Sequence, residues 1–336
     1  MLVKTSPDTG WTLPLKFKIL IESWENMERL KRIPVAVLPT FVGAMTLSNV
    51  YNSMGYSWIR HLTMWAAAIV IVCYIIKIIC FFDTCREEYS TTVPSSLYIG
   101  FTMMLMILGS YLFDYNRAAG KGLYLIGFCI HTIHIFVFTY NNLIKKRDIK
   151  TFVPSWFVTY NGYMVCCVAG GVMGINGILK IIVYYGIVVY FLQLPFLIWR
   201  LIKVEIDPSY YHTMAVFPSP CSLCLVSYLN LIENKREFIV WILYACVLAS
   251  VLFVTLMLPK FFSFPFSPGF AGMTFPMAIG VAATSKMTAY LTETGRYTLA
   301  SVTGQLEGIQ LYLTTMIIGY VLLNFLIMAL GIKRKV

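Results

Sequence analysis

Five prolines recur along this chain at similar intervals, and each stands at the start of an apolar run. They are Pro34, Pro94, Pro154, Pro218 and Pro268, and the intervals between them are 60, 60, 64 and 50 residues. Each interval is roughly long enough for two membrane helices of about 20 residues and their turns. The pattern therefore predicts five copies of one helical hairpin.

The composition is that of a polytopic membrane protein. Hydrophobic residues make up 59% of the chain and charged residues 12%, whereas ordinary soluble domains carry about 25% charge. The apolar runs are about 17–25 residues long, which favours helices over the shorter alternating strands of a membrane barrel.

The nine cysteines fall mostly in these runs and indicate small buried side chains rather than disulfides. The basic residues behind the net charge of +11 are scattered over loops, so we predict no nucleic-acid partner.

Ten candidate spans follow from the apolar runs. They are residues 34–50, 60–82, 93–113, 121–144, 153–174, 177–202, 217–232, 238–259, 266–290 and 306–331. The seventh is short for a bilayer, so we expect it to extend upstream through Met214 or to be partly unwound.

Three regions result from this division. Residues 1–33 form a cytoplasmic N-terminal segment, in which Lys16–Arg32 has the spacing of an interfacial amphipathic helix. Residues 34–331 form the ten-helix transmembrane pore domain, and residues 332–336 form a basic cytoplasmic tail.

The distribution of lysine and arginine predicts the orientation. With the N-terminus inside, inner segments hold 17 of the 26 basic residues and outer turns hold 8, while Lys77 lies within the second span. Cytoplasmic loops carry the excess of basic residues in membrane proteins. We therefore predict that both termini are cytoplasmic and that the protein resides in the plasma membrane, which in a bacterium is the inner membrane.

The fold class expected is all-α, with five hairpins in a quasi-fivefold arrangement. We assign the odd-numbered helices to an inner ring around a central pore, because they carry the small and kink-permitting residues. The prolines at the starts and kinks of these helices are Pro34, Pro39, Pro94, Pro154, Pro218, Pro268 and Pro276.

The charge pattern along these helices favours a passive pathway. We expect the odd helices to present no ionisable side chain to the axis, with Lys286 counted in an outer turn. Coupled transporters usually place carboxylates or histidines in their pathway. Five helix N-termini at the cytoplasmic mouth, each with a partial positive charge, favour an anion as the transported ion.

A motif in the ninth span resembles a known family. Ser267–Ala278 reads SPGFAGMTFPMA, and Pro34 is followed nine residues later by Gly43. With the five hairpins, these features resemble the tellurite-resistance/dicarboxylate transporter family, which includes the guard-cell slow anion channels. The resemblance implies a homotrimer whose subunits each contain a pore, closed midway by the phenylalanine of the Thr-Phe-Pro sequence, here Phe275. The chain departs from the family at Gly272, where relatives commonly have an aromatic residue.

The internal repeat gives a second argument for a constriction. Counting seven residues from each starting proline gives Phe41, Phe101, Asn161, Leu225 and Phe275. Three of these five equivalent positions are phenylalanine, so we predict an apolar constriction at one depth, with Phe275 as the gate. A hydrophobic neck can close a pore by steric block and dewetting.

Two pairs of possible metal ligands are interpreted as structural. His131 and His134 share a face of the fourth helix, and Cys221 and Cys224 have the same spacing on the seventh. Together they could form a zinc site, but they belong to different hairpins. We therefore predict no metal, no cofactor and no enzymatic activity, with a metal-dependent membrane enzyme as the alternative from a different class.

The function predicted is passive conduction of small anions such as chloride and nitrate, with tellurite as a further candidate from the family name. The alternative within the family is a proton-coupled transporter of four-carbon dicarboxylates such as malate. Its weakness is that, with Lys286 counted in an outer turn, the odd helices are expected to offer no carboxylate, histidine or lysine for proton coupling and no arginine clamp for two carboxylates.

Overall fold

A computed structural model of the chain describes residues 28–331, which are helical over most of their length and contain no strand. The predicted interfacial helix at Lys16–Arg32 lies largely outside this range, although residues 28–31 are helical. The basic tail at 332–336 also lies outside it. The prediction of an all-α membrane protein is confirmed at this level.

After the helical residues 28–31, twelve α-helices follow in the described range. They are α1 (Val37–Ser53), α2 (Ser57–Cys80), α3 (Phe82–Ser90), α4 (Thr92–Phe113), α5 (Arg117–Thr139), α6 (Trp156–Tyr160), α7 (Val165–Ala169), α8 (Asn176–Lys203), α9 (Pro218–Leu231), α10 (Glu237–Phe262), α11 (Thr274–Glu293) and α12 (Tyr297–Ala329). A π-helical turn at Tyr140–Lys146 extends α5, and 3₁₀ helices form at Ile149–Thr151, Gly162–Met164, Pro208–Val216 and Pro268–Met273.

Seven helical segments of the described chain are long and apolar enough to cross a membrane. They are α2, α4, α5 with its π-helical turn, α8, Tyr210–Leu231, α10 and α12. The predicted upstream extension of the seventh span is confirmed, because a 3₁₀ helix leads directly into α9. The segments predicted as spans one, five and nine correspond to the shorter, interrupted or less apolar helices α1, α6–α7 and α11.

The fifth predicted span, 153–174, is not a continuous helix. It is divided into α6, a 3₁₀ turn and α7, which ends at Ala169. A Cβ at Gly162 would lie 2.1 Å from Met103 Cε, and one at Gly170 would lie 2.3 Å from the Tyr124 hydroxyl. The side chains of Met103 and Tyr124 thus occupy the space beside these two glycines, where the helix is interrupted.

Burial separates the helices into two groups. About two thirds of the central window of α4 is buried inside the protein, against 28% for each of α2, α5, α8 and α10. The buried segments also contact one another in cyclic order: α1 packs on α4, α4 on α6 and α7, α7 on α9, α9 on α11, and α11 on α1. An inner set of helices is thus surrounded by a more exposed outer set.

Glycines allow α1 to approach both of its inner neighbours closely. A Cβ at Gly43 would lie 2.7 Å from the Phe275 backbone nitrogen, and one at Gly100 would lie 2.9 Å from that of Pro39. On the α11 side, the buried Thr274 hydroxyl lies 3.4 Å from the Pro39 carbonyl oxygen, across 235 residues of sequence. Small residues permit this kind of backbone contact between membrane helices.

The repeated prolines lie before or within the first turn of the inner segments. Pro218 and Pro268 are the first residues of their helices, and Pro39, Pro94 and Pro276 are the third. Pro34 and Pro154 shortly precede α1 and α6. A proline is tolerated at these positions because its missing N–H would have no helical partner there.

A buried charge cluster fixes the start of α1. The Lys77 side chain is fully buried and its Nζ donates to a Glu88 carboxylate oxygen and to the Ile33 carbonyl, each at 2.8 Å. Glu88 lies on α3, a short helix that the sequence analysis did not predict, and its other carboxylate oxygen accepts from the Tyr98 hydroxyl. The Tyr74 hydroxyl donates to the Pro34 carbonyl. The cluster therefore connects α2, α3 and α4 to the segment that leads into α1.

Candidate ion pathway

One cavity of about 320 Å³ is lined by all five inner segments. Its wall includes one face of α11, where Phe275, Ile279, Ala282 and Lys286 follow each other at helical spacing. Residues of α1, α4, α7 and α9 complete the wall, and Arg60 of α2 lies at the edge. We refer to this space as the axial cavity.

The axial cavity is apolar at one end and polar at the other. Phe275 is only 3% exposed and lies at the apolar end. Lys286 lies eleven residues further along α11 and is exposed, so roughly 16 Å of helix separates the two. The hydroxyl and amide side chains along the wall are those of Thr46, Asn49, Ser53, Ser110, Asn230 and Ser285. These groups can solvate an ion that enters from the open end.

Two cations lie at the open end, and no carboxylate is among the described residues that line the cavity. The Arg60 guanidinium donates to Asn49 Oδ1 at 2.9 Å and pairs with Asp114 at 3.0 Å, while packing over the Tyr111 ring. Lys286 forms no ion pair within residues 28–331. Arg60 is thus held in place and partly neutralised, whereas the Lys286 charge is available to an anion.

Arg60 and Lys286 lie at the end of the axial cavity where the inner helices place their negative dipole ends. The open end is formed by the C-terminal parts of the inner helices: Ser53 ends α1, Ala169 ends α7 and Asn230 lies one residue before the end of α9. Helix C-termini carry a partial negative charge, which repels anions. The exposed Lys286 side chain at the same end opposes this negative charge.

Lys286 corrects one expectation from the sequence. The odd helices were expected to present no ionisable side chain to the axis, yet Lys286 lies within α11 and lines the cavity. The sequence analysis counted it in an outer turn with Arg296, although the predicted ninth span, 266–290, already contained it. Helical periodicity counted from Phe275 would have located it, since positions four, seven and eleven residues later share one face.

The five equivalent repeat positions differ in their surroundings. Of these five, Phe275 alone is among the residues that line the axial cavity. Phe41 and Phe101 are partly buried and pack against the main core, and Leu225 is fully buried within it. Asn161 is also fully buried, and its amide donates to the Gly186 carbonyl of α8 at 2.9 Å. The constriction formed by all five residues therefore stays a prediction.

Gly272, the position that departs from the family, lies against a neighbouring 3₁₀ helix. A Cβ there would lie 2.7 Å from the His212 carbonyl oxygen. The His212 ring stacks on Phe270 at 4.5 Å between ring centres, and it also contacts Phe261. The segments before α9 and α11 therefore pack closely at Gly272, and a larger side chain has no space in this arrangement.

We expect Gly272→Ala to destabilise the protein by about 1–3 kcal/mol, because the methyl group would meet a backbone carbonyl that is not free to move. Thermal unfolding of the purified protein in detergent measures the loss. Gly308→Ala is the matched control, because Gly308 lies in α12 with nothing within 4 Å of a built Cβ. Equal unfolding temperatures for the two variants would contradict the packing described here.

The histidine pair of α5 has separate hydrogen-bond partners. His131 Nδ1 lies 2.9 Å from the Thr102 hydroxyl and Nε2 lies 3.3 Å from the Thr159 carbonyl oxygen. His134 Nδ1 lies 2.8 Å from the hydroxyl of Tyr89 on α3. Burial raises the pKa of the Tyr89 phenol above its ordinary value. These bonds connect α5 to α3, α4 and α6.

The cysteine pair of α9 has different neighbours. Cys221 Sγ lies 3.3 Å from the Ser250 hydroxyl of α10, and Cys224 Sγ lies 3.6 Å from Met164 Sδ. No group of three or more histidine, cysteine, aspartate or glutamate residues is placed to hold a metal ion within residues 28–331.

A family comparison agrees with this geometry. The model of the family described as voltage-dependent anion channel matches residues 33–332. The chain belongs to the voltage-dependent anion channel family. The predicted relationship to the guard-cell slow anion channels is therefore confirmed. No curated protein matches the chain.

Membership of the voltage-dependent anion channel family determines the general activity. The family consists of channels and transporters rather than enzymes, and the chain is a multi-pass membrane protein of anion transport. The axial cavity is lined by all five inner segments of the described chain. It is therefore the candidate route for the anion.

Proposed function

We propose that the chain is a passive channel for small monovalent anions such as chloride and nitrate. The observation that carries this proposal is the axial cavity, which has Phe275 at its closed end and cationic Lys286 at its open end. In this proposal ten helices cross the membrane as five hairpins in quasi-fivefold order, and the odd-numbered helices form the pore wall. The cyclic contacts among α1, α4, α6–α7, α9 and α11 support this arrangement.

Phe275 is the proposed gate. It is nearly fully buried, and its backbone is fixed by contact with Gly43 on one side of the ring. A phenyl ring in an otherwise apolar passage excludes both the ion and the water that would hydrate it. Movement of this ring, or of the start of α11, opens the path from the axial cavity to the other side.

Three further features of the proposal come from the family resemblance and the charge distribution. They are a homotrimer with one pore in each subunit, a location in the plasma membrane and cytoplasmic placement of both termini. The open end of the axial cavity then faces the outside, because it lies at the C-terminal ends of the inner helices. Native mass measurement in detergent tests the trimer. Labelling of single cysteines introduced into loops on each side of the membrane tests the orientation.

Flux into proteoliposomes distinguishes a passive channel from a proton-coupled carrier. We expect chloride or nitrate uptake to follow the anion gradient and the membrane potential, and to be unchanged by a pH gradient. The cavity wall offers no described carboxylate or histidine that could carry a coupled proton. Flux that requires a pH gradient and prefers malate would replace the proposal with the dicarboxylate carrier.

Neutralising Lys286 should weaken anion capture. We expect Lys286→Gln to lower anion current about threefold or more at about 0.01 M salt, and to have little effect at about 1 M, where screening acts within roughly 3 Å. Lys180→Gln is the matched control, because Lys180 pairs with Glu233 at 2.7 Å outside the axial cavity. The same loss of current in both variants, or none in Lys286→Gln at low salt, would count against an anion entrance at Lys286.

A further inference from the structure

A second cavity of about 300 Å³ lies between α10 and α12, on the outer side of the helix bundle. Its outer edges are formed by Leu252 and Ile309, which are largely exposed on helices long and apolar enough to cross a membrane. Its inner end is formed by Pro218 of α9 and Met277 of α11, both buried. We call this space the lateral cleft, and it opens toward the surrounding lipid.

Two side chains of the lateral cleft each have a polar atom without a hydrogen-bond partner among residues 28–331. Gln310 is 6% exposed, and its amide is bonded at one end only, where the Thr284 hydroxyl lies 2.8 Å away. Thr314 is 1% exposed, and its hydroxyl oxygen has no hydrogen-bond partner. Buried polar groups in a membrane protein normally find a partner, because lipid chains offer none. Both residues line the cleft, one helical turn apart on α12.

The surroundings define the chemistry of a molecule that would complete these bonds. Whichever way the Gln310 amide is turned, Thr284 satisfies one end and the other remains open. A hydroxyl group can donate as well as accept, so it matches either orientation and the Thr314 hydroxyl too. None of the described residues that line the cleft is ionisable, so a carboxylate or an amine would be an unpaired charge inside the membrane. The remaining wall is apolar except for Thr255, whose hydroxyl already donates to the Val251 carbonyl at 2.8 Å.

We infer that the lateral cleft binds a neutral, hydroxyl-bearing lipophile, with the hydroxyl at Gln310 and Thr314 and the aliphatic chain along α10. The volume is at the lower end of the range for small-molecule sites, roughly 300–1,000 Å³, which suits a medium-chain alcohol rather than a whole phospholipid. An acyl chain of the bilayer could fill the aliphatic part but would leave both polar groups unpartnered. Met277 lies two residues after Phe275 on α11, so the occupied site contacts the same helix turn as the axial cavity.

Photolabelling of the purified full chain tests this site without any measurement of ion flux. The probe is a medium-chain primary alcohol that carries a diazirine, and a diazirine alkane of the same length serves as the second probe. We expect the alcohol to label peptides of α10 and α12 at the lateral cleft, and excess unlabelled alcohol to displace it. The isosteric changes Thr314→Val and Gln310→Leu should each lower alcohol labelling about tenfold and leave alkane labelling unchanged.

Two controls keep the test decisive. Thr314→Ser retains the hydroxyl and should keep most of the labelling. Thr315→Val removes a hydroxyl from the next residue, which bonds to Tyr51 instead of facing the cleft, and should also label normally. Equal labelling of the wild type, Thr314→Val and Gln310→Leu would overturn the inference, as would equal labelling by alcohol and alkane, because either result means a cleft filled by lipid chains.

Discussion

Phe275→Ala is expected to raise anion current across a planar bilayer by about tenfold or more at fixed salt and without a pH gradient. The substitution removes the ring that lies at the closed end of the axial cavity, while the cations at the open end remain. The reversal potential under a salt gradient should show selectivity for anions. Single-channel recording of the purified variant provides both values.

Phe253→Ala is the matched control for this experiment. Phe253 lies on α10 and packs against Phe217 outside the axial cavity. Phe253→Ala therefore also removes a phenyl ring, but it does not widen the proposed path. Phe41→Ala and Phe101→Ala report on the wider constriction predicted from the repeat. If Phe275→Ala folds to the wild-type yield and its current is unchanged, the phenylalanine is a packing residue and the gate lies elsewhere.

Glu88→Leu is expected to destabilise the protein by about 3–5 kcal/mol, because it leaves the ammonium group of Lys77 buried without its counter-charge. The Lys77 side chain is completely buried, and the Glu88 side chain is 26% exposed. An equilibrium unfolding curve of the purified protein in detergent, monitored by intrinsic fluorescence, measures the free energy of unfolding. The effect should exceed that of most single substitutions, which cost about 0.5–3 kcal/mol.

A double variant separates loss of the pair from loss of packing. Lys77→Met together with Glu88→Leu removes both charges and should recover most of the stability lost in Glu88→Leu alone. Glu87→Leu, at the exposed neighbouring position on α3, should change the stability by less than about 0.5 kcal/mol. If Glu88→Leu were as stable as Glu87→Leu, the buried ion pair would have no structural role.

Local patterns predicted much of this fold. Hydropathy identified the membrane class, and the repeated prolines marked the beginnings of the inner segments because a proline suits the first turn of a helix. The ninth-span motif pointed to Phe275, and the structure places that residue at the axial cavity. Hydropathy and the proline spacing can be read from this sequence alone, whereas the interpretation of Phe275 as the gate also depends on the resemblance to a known family.

Other features depend on contacts between distant segments. The interruption near Gly162 accompanies its contact with Met103, and the fit of Gly272 involves a carbonyl sixty residues earlier in the chain. The unpartnered atoms of Gln310 and Thr314 become visible only once α10 and α12 are placed side by side. Hydropathy averages over such positions and does not show them.

The contact between α1 and α11 has a consequence for the synthesis of the protein. The contact between the Pro39 carbonyl and Thr274 forms only after the ribosome has added 235 further residues to the chain. At typical translation rates the interval is roughly 10–50 s. Throughout that time the side of α1 that carries Gly43 lacks its contact with the backbone of Phe275. A chain that stops before α11 therefore lacks one side of the wall of the axial cavity, because α11 contributes Phe275, Ile279 and Lys286 to it.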